Sequence, residues 1–126
     1  MTSLRTLGIL ALAVLLGWSG TAGAHAQLTR ARPPAGGVTS VSPRAVTLWF
    51  NEQPEVDFSA IQVLDAGGRV VGDGALARTR KPNGLKLALP AALPPGRYVV
   101  RYRVLSVDGH IVADEYTFDV GPGAAP

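Results

Sequence analysis

Apolar and polar residues alternate along several short segments of this chain, which is the pattern of β-strands that bury one face. In the clearest segment, after Pro94-Pro95-Gly96, one face would carry Tyr98, Val100, Tyr102 and Val104. The same alternation predicts strands around Leu48, Leu87 and Phe118, and shorter candidates at His25 to Arg30, Phe58 to Val63 and Arg69 to Val71. Beyond the apolar residues near the start of the chain, no long segment repeats with the helical period.

Turn signals separate the candidate strands. Stretches rich in proline or glycine lie at Arg32 to Gly37, Asp65 to Gly68 and Lys81 to Gly84, where proline fixes φ and glycine permits positive φ. Short alternating strands with frequent turns predict an all-β chain that folds as an antiparallel β-sandwich of about seven strands. Burial of each large side chain on the inner faces would stabilise the fold by about 1.5–3 kcal/mol.

The first residues of the chain have the pattern of a secretory signal. Arg5 precedes an apolar run from Leu7 to Trp18, and small residues follow up to Ala24. We therefore expect a signal peptide at residues 1–24, a folded domain at residues 25–121 and a flexible tail at residues 122–126. Cleavage after Ala26 also fits the signal and would discard His25, and an uncleaved amino-terminal anchor is a further alternative.

Composition narrows the possible partners. The chain has no cysteine, and its one methionine is Met1, so an exported domain would offer a metal ion no sulfur ligand. Lys and Arg number 12 against 9 Asp and Glu, and this small excess is weak evidence for a nucleic acid or membrane partner. Arg78, Arg80 and Lys81 lie by a predicted turn without interleaved aromatic residues, so we expect no nucleic acid.

The two histidines carry the candidate chemistry. His110 ends the stretch Ser106-Val107-Asp108-Gly109-His110, and His25 would be the first residue after cleavage at Ala24. A terminal His25 offers its amine and imidazole to one ion, and Asp108 and His110 add a carboxylate and a second imidazole. Such nitrogen and oxygen donors suit Cu(II). The alternatives are an ordinary Asp-Gly turn and a strand-end histidine, and the two histidines meet only if the strand order brings them together.

The sequence after the signal resembles the CopC family of periplasmic copper-resistance proteins over essentially its whole length. The matching segments are His25 to Leu28, Pro33 to Gly36, Val46 to Glu52, Leu93 to Tyr98, Ser106 to His110 and Tyr116 to Val120. The resemblance implies an immunoglobulin-like Greek-key β-sandwich. It also implies a Cu(II) site made by the amine and side chain of His25 with Asp108 and His110, and a nearby Glu52 that orients the amine.

Two positions depart from the family pattern. Ile111 stands where relatives usually have proline, and Asp114 stands where they have glycine. Asp114 could change the shape of the loop after His110 slightly or add a carboxylate nearby, and we do not expect it to be a ligand. The methionine-rich Cu(I) site of some relatives cannot be built from this sequence.

These observations predict a soluble, monomeric, periplasmic Cu(II)-binding protein that sequesters or carries copper in homeostasis or resistance and is not an enzyme. Its expected partners are the copper ion and a separate inner-membrane copper transport protein. One alternative is a copper-dependent oxidase of the lytic-monooxygenase type, since such enzymes also begin with a chelating histidine. The other is a metal-free structural or adhesive domain, in which Asp108 and His110 would both tolerate replacement by alanine.

Overall fold

The computed structural model describes residues 27–125, which form nine β-strands in two sheets and one short 3-10 turn at Val56–Phe58. The strands are β1 (Leu28–Arg32), β2 (Val38–Val41), β3 (Ala45–Phe50), β4 (Ala60–Asp65), β5 (Val70–Gly72), β6 (Leu76–Arg78), β7 (Gly84–Ala88), β8 (Gly96–Leu105) and β9 (Ile111–Ala125). One sheet has the order β1-β3-β7-β6 and the other has the order β2-β9-β8-β4-β5.

The core lies between the two sheets and is built from alternate residues of the central strands. Side chains on opposite faces of a strand alternate, and those that turn inward are almost fully buried: Val46, Leu48, Phe50, Ile61, Val63, Leu85, Leu87, Tyr98, Val100, Tyr102, Val104, Phe118 and Val120. Aromatic rings pack within this layer, with Phe50 edge-on to Tyr102 and Tyr98 stacked on Phe118. The predicted β-sandwich and its inward face are therefore confirmed.

The structure differs from the sequence-based expectation in four details. Strands β2 and β6 were not predicted, because each has only three or four residues and little alternation. Phe58, a predicted strand residue, lies in the 3-10 turn with 68% of its surface exposed. The pairing of β2 with β9 is parallel in an otherwise antiparallel sandwich. Finally, β9 runs to Ala125, into the segment assigned to a tail, because Val41 of β2 pairs with it there.

The longest pairing in the molecule is the antiparallel hairpin of β8 and β9. Its register runs without interruption from Gly96 opposite Val120 to Leu105 opposite Ile111. The hairpin therefore carries residues 106–110 at its tip, at one end of the sandwich. Within residues 27–125, no helix is long and apolar enough to cross a bilayer.

The assignment of faces on β8 can be tested with two neighbouring valines. Val100 is fully buried, whereas Val99 lies on the outer face and is partly exposed. Val100→Thr places a hydroxyl in the core and should lower the free energy of unfolding by about 1–3 kcal/mol. Val99→Thr is the matched control and should change it little, because threonine suits an exposed strand position. Equal denaturant midpoints for the two variants would contradict the assigned faces.

Candidate metal centre

The turn between β8 and β9 closes through its own backbone. The N–H of Ser106 donates to the carbonyl of His110 at 2.9 Å, and the N–H of Gly109 donates to the carbonyl of Ser106 at 2.9 Å. Gly109 has a φ of 90°, a backbone conformation that residues other than glycine adopt only with strain. The Asp-Gly turn signal is thus confirmed, and the turn holds residues 108 and 110 in fixed positions.

Asp108 is held by three groups of the same turn. Its Oδ1 accepts hydrogen bonds from the Ser106 hydroxyl and from the His110 backbone N–H, the latter at 3.2 Å. Its Oδ2 lies 3.1 Å from Nδ1 of the His110 ring. The Ser106 hydroxyl, followed by the His110 backbone N–H, lowers the pKa of Asp108 to about 2, because hydrogen bonds to a carboxylate favour its charged form. Asp108 therefore presents a charged carboxylate at any pH near neutral.

The turn brings the two predicted side-chain ligands together at the surface. The side chains of Asp108 and His110 keep 35% and 47% of their exposed surface, respectively. A carboxylate oxygen and an imidazole nitrogen thus stand side by side where an ion from solvent can reach them. Both are donors that divalent first-row metals accept, and neither is sulfur.

A second segment, residues 51–55, is bonded to this turn. The N–H of Val107 donates to the carbonyl of Gln53 at 3.1 Å, and the N–H of Glu55 donates to the carbonyl of Leu105 at 2.8 Å. Pro54 between them forms an isolated bridge with Ser106. These contacts place Glu52, two residues after the end of β3, in a segment that lies beside the turn.

Glu52 has an unusual environment. Its Oε2 atom is buried and accepts no hydrogen bond from any residue within 27–125. A buried carboxylate oxygen without a donor is costly, and such groups in folded proteins nearly always have a partner. The position therefore suits a donor or a cation that comes from outside the described residues.

The start of the described chain is tied to the same segment. The N–H of Gln27 donates to the Asn51 side chain at 2.6 Å, and the N–H of Asn51 donates to the carbonyl of Gln27 at 2.9 Å. A groove of about 700 Å³ runs from Gln27 to Ile111 and Asp114 at the start of β9. The amino-terminal part of the domain and the turn thus lie at one end of the sandwich, a contact that sequence alone did not reveal.

Of the other residues named from the sequence, the structure describes Ile111 and Asp114 but not His25. His25 lies outside the described residues, so its proposed role as a ligand stays a prediction. Residues 27–125 contain no group of three or more His, Asp or Glu side chains arranged to hold a metal ion. Ile111 is 52% exposed beside the turn, and Asp114 lines the groove while its Oδ1 accepts the N–H of Glu115. Sequence analysis missed the role of Ser106, whose buried hydroxyl fixes Asp108.

A family model and solved structures give matches that agree with one another. A family model described as the CopC domain matches residues 28–121. The fold is similar to that of CopC from Methylosinus trichosporium OB3b, with 41% identity, a TM-score of 0.74, and coverage of 81% of this chain and 99% of that chain. It is also similar to PcoC, a methionine-rich copper resistance protein from Escherichia coli, with 27% identity, a TM-score of 0.70, and coverage of 77% and 99%.

A curated relative extends the comparison. Protein YobA of Escherichia coli strain K12 is 35% identical over 99 residues, which cover 77% of this chain and 79% of that protein. None of these relatives carries the name of an enzyme, in agreement with the expectation that this chain is not one. Unlike the methionine-rich PcoC, this chain has a single methionine, at its first position. The chain belongs to the CopC domain family, and its function is related to copper.

Proposed function

We propose that this protein is a periplasmic Cu(II)-binding protein that sequesters or carries copper in homeostasis or resistance. The observation that carries the proposal is the pair formed by Asp108 and His110 at the hairpin tip, beside the segment whose Glu52 has a buried oxygen with no partner among residues 27–125. The ligands are the side chains of Asp108 and His110 together with the amine and imidazole of His25. Copper is the cargo of this site, and no chemical step is needed.

The covalent geometry of the chain supports the inclusion of His25. His25 precedes Gln27 by two residues, and two residues of extended chain span at most about 7 Å. Gln27 is hydrogen-bonded to Asn51, whose neighbour is Glu52. We therefore expect the amine of a chain that starts at His25 to lie close to the Glu52 carboxylate. An ammonium or amine N–H is the kind of donor that the buried Glu52 oxygen requires.

The donor set favours Cu(II) over other states and metals. Nitrogen and oxygen donors suit Cu(II), whereas Cu(I) prefers sulfur, and the exported chain would have no cysteine or methionine. Because Asp108 is already charged near neutral pH, it needs no proton release before it binds a cation. The hydrogen bond from Ser106 also prepares the carboxylate in one orientation.

The location and the destination of the copper are part of the same proposal. The signal pattern at residues 1–24 supports export to the periplasm. Exchange of copper with an inner-membrane transport protein fits a site whose ligands Asp108 and His110 are exposed at the tip of a hairpin. The exposed position allows a partner to approach the ion directly.

The ligand role of His110 can be tested by titration of Cu(II) into the exported protein, with its amino terminus read by mass spectrometry. We expect one tightly bound copper on a chain that starts at His25. His110→Ala should weaken binding by more than the roughly 10–100-fold that loss of an outer partner costs.

Val107→Ala is the matched control, since Val107 belongs to the same turn and its side chain has no atom that can bind a metal ion. It should leave the affinity unchanged. Copper binding by His110→Ala as tight as by the unchanged protein would contradict the proposed site, and absence of binding by the unchanged protein would favour the metal-free structural domain.

The role of Glu52 can be tested by Glu52→Gln, which keeps the shape and removes the charge. We expect the copper-free protein to melt at the same or a lower temperature, because the attraction between the Glu52 carboxylate and the terminal amine is lost. Cu(II) affinity should fall by roughly 10–100-fold, which reduces the stabilisation by copper by about 1.4–2.7 kcal/mol.

Glu55→Gln makes the same change of charge in the same segment and should alter neither quantity. Thermal melts with and without Cu(II) measure both effects. Unchanged stabilisation by copper in Glu52→Gln would show that Glu52 plays no part in the site.

A further inference from the structure

The two sheets differ in charge. The strands of the sheet β1-β3-β7-β6, together with the turn that joins β6 and β7, carry six basic residues and no acidic residue. The strands of the other sheet carry three basic and four acidic residues. The small formal net charge of +3 therefore conceals a strongly cationic face on one side of the sandwich.

The strand register places most of these cations on the outer surface. Between β1 and β3, Arg30 pairs with Trp49 and Arg32 pairs with Thr47. Between β3 and β7, Thr47 pairs with Lys86. Their neighbours Leu48, Leu85 and Leu87 point into the core, so this alternate set points outward. Arg80 and Lys81 join them from the turn between β6 and β7. We call this set the basic face: Arg30, Arg32, Trp49, Arg80, Lys81 and Lys86.

Trp49 lies at the centre of the basic face. The Arg30 guanidinium is 5.0 Å and the Arg32 guanidinium 5.9 Å from the centre of its ring, both within range of a cation–π contact. A cavity of about 360 Å³ opens beside the ring and is lined by Arg30, Arg80 and Lys81. The sequence analysis found no aromatic residue among the basic positions, because these residues meet only across strands.

The cations of the basic face form no ion pair with any acidic side chain that the structure describes. Among residues 27–125 the ion pairs join Arg97 to Asp119, Arg101 to Glu115 and His110 to Asp108. All three lie outside the basic face. Two arginines that share one tryptophan ring repel each other, so an anion that binds between them would relieve this repulsion.

The chemistry of the basic face favours a layer of lipid headgroups over a protein partner. Protein interfaces usually have an apolar, charge-depleted centre. The exposed large aliphatic and phenylalanine side chains of the described residues all lie elsewhere: Val38, Val41, Phe58, Val70, Val107 and Ile111. A flat array of cations around a tryptophan instead matches a headgroup region, where anionic phosphates attract Lys and Arg and tryptophan is enriched.

We propose that the basic face binds the surface of a bilayer that contains anionic phospholipids. The cavity beside Trp49 would take a phosphate group, and the surrounding cations would contact further headgroups. The domain would then lie with the sheet β1-β3-β7-β6 against the bilayer. The inference does not depend on the copper site, and it is tested without copper.

Trp49 supplies the test, because Trp18 lies in the predicted signal and a chain that starts at His25 has no other tryptophan. The exported protein is mixed with vesicles of phosphatidylcholine alone, or of phosphatidylcholine and phosphatidylglycerol in equal parts. We expect sedimentation with the mixed vesicles only, a change in Trp49 fluorescence, and weaker binding as salt rises. The double variant Arg30→Gln and Lys86→Gln should bind the mixed vesicles about thirtyfold less tightly, because each lost cation weakens binding roughly fivefold.

The matched control is the double variant Arg101→Gln and Arg103→Gln, which removes the same charge from the outer face of the other sheet. It should bind the mixed vesicles as the unchanged protein does. Equal loss in both double variants, equal binding to the neutral vesicles, or no binding to either vesicle would overturn the proposal. Saturation of the fluorescence change by inorganic phosphate alone would overturn it too, in favour of a small-anion site.

Discussion

The backbone hydrogen bonds between residues 51–55 and residues 105–107 hold the candidate metal centre together. They join the end of β3, in one sheet, to the tip of the hairpin β8–β9, in the other. Without them, Glu52 and the turn with Asp108 and His110 would belong to two separate sheets of the sandwich. Gln27 is bonded to Asn51 in the same segment, so the amino-terminal side of the domain depends on this junction as well.

The junction also brings two carboxylates with different environments to the same end of the sandwich. Asp108 is satisfied within its own turn and is charged near neutral pH. Glu52 is nearby with a buried oxygen that no described residue satisfies. The Asp108 carboxylate can thus bind a cation, whereas the Glu52 carboxylate lacks a hydrogen-bond donor among the described residues. Under the proposed function, a terminal His25 would supply both needs at once, because an amine can bind a metal ion and donate to a carboxylate.

Much of the fold could be predicted from sequence because it depends on local alternation. The buried faces of β3, β7, β8 and β9 follow directly from their period of two. The Asp-Gly turn was also predictable. The cross-strand contacts were not, because register and strand order are non-local. For this reason the link from Gln27 to Asn51 and the position of Trp49 between Arg30 and Arg32 appeared only in the structure. The strands β2 and β6 were missed because they are too short to show a pattern.

The central claim is that the amine of His25 is a copper ligand. The most direct test compares Cu(II) affinity of the chain that starts at His25 with that of a chain carrying one extra glycine before His25. The extra residue keeps every side chain of the protein and moves the free amine from His25 to the added glycine, so the amine and the imidazole no longer belong to one residue. We predict binding weaker by at least tenfold, or roughly 1.4 kcal/mol, and an altered electron paramagnetic resonance spectrum of the bound Cu(II). Equal affinity and an identical spectrum would contradict the account.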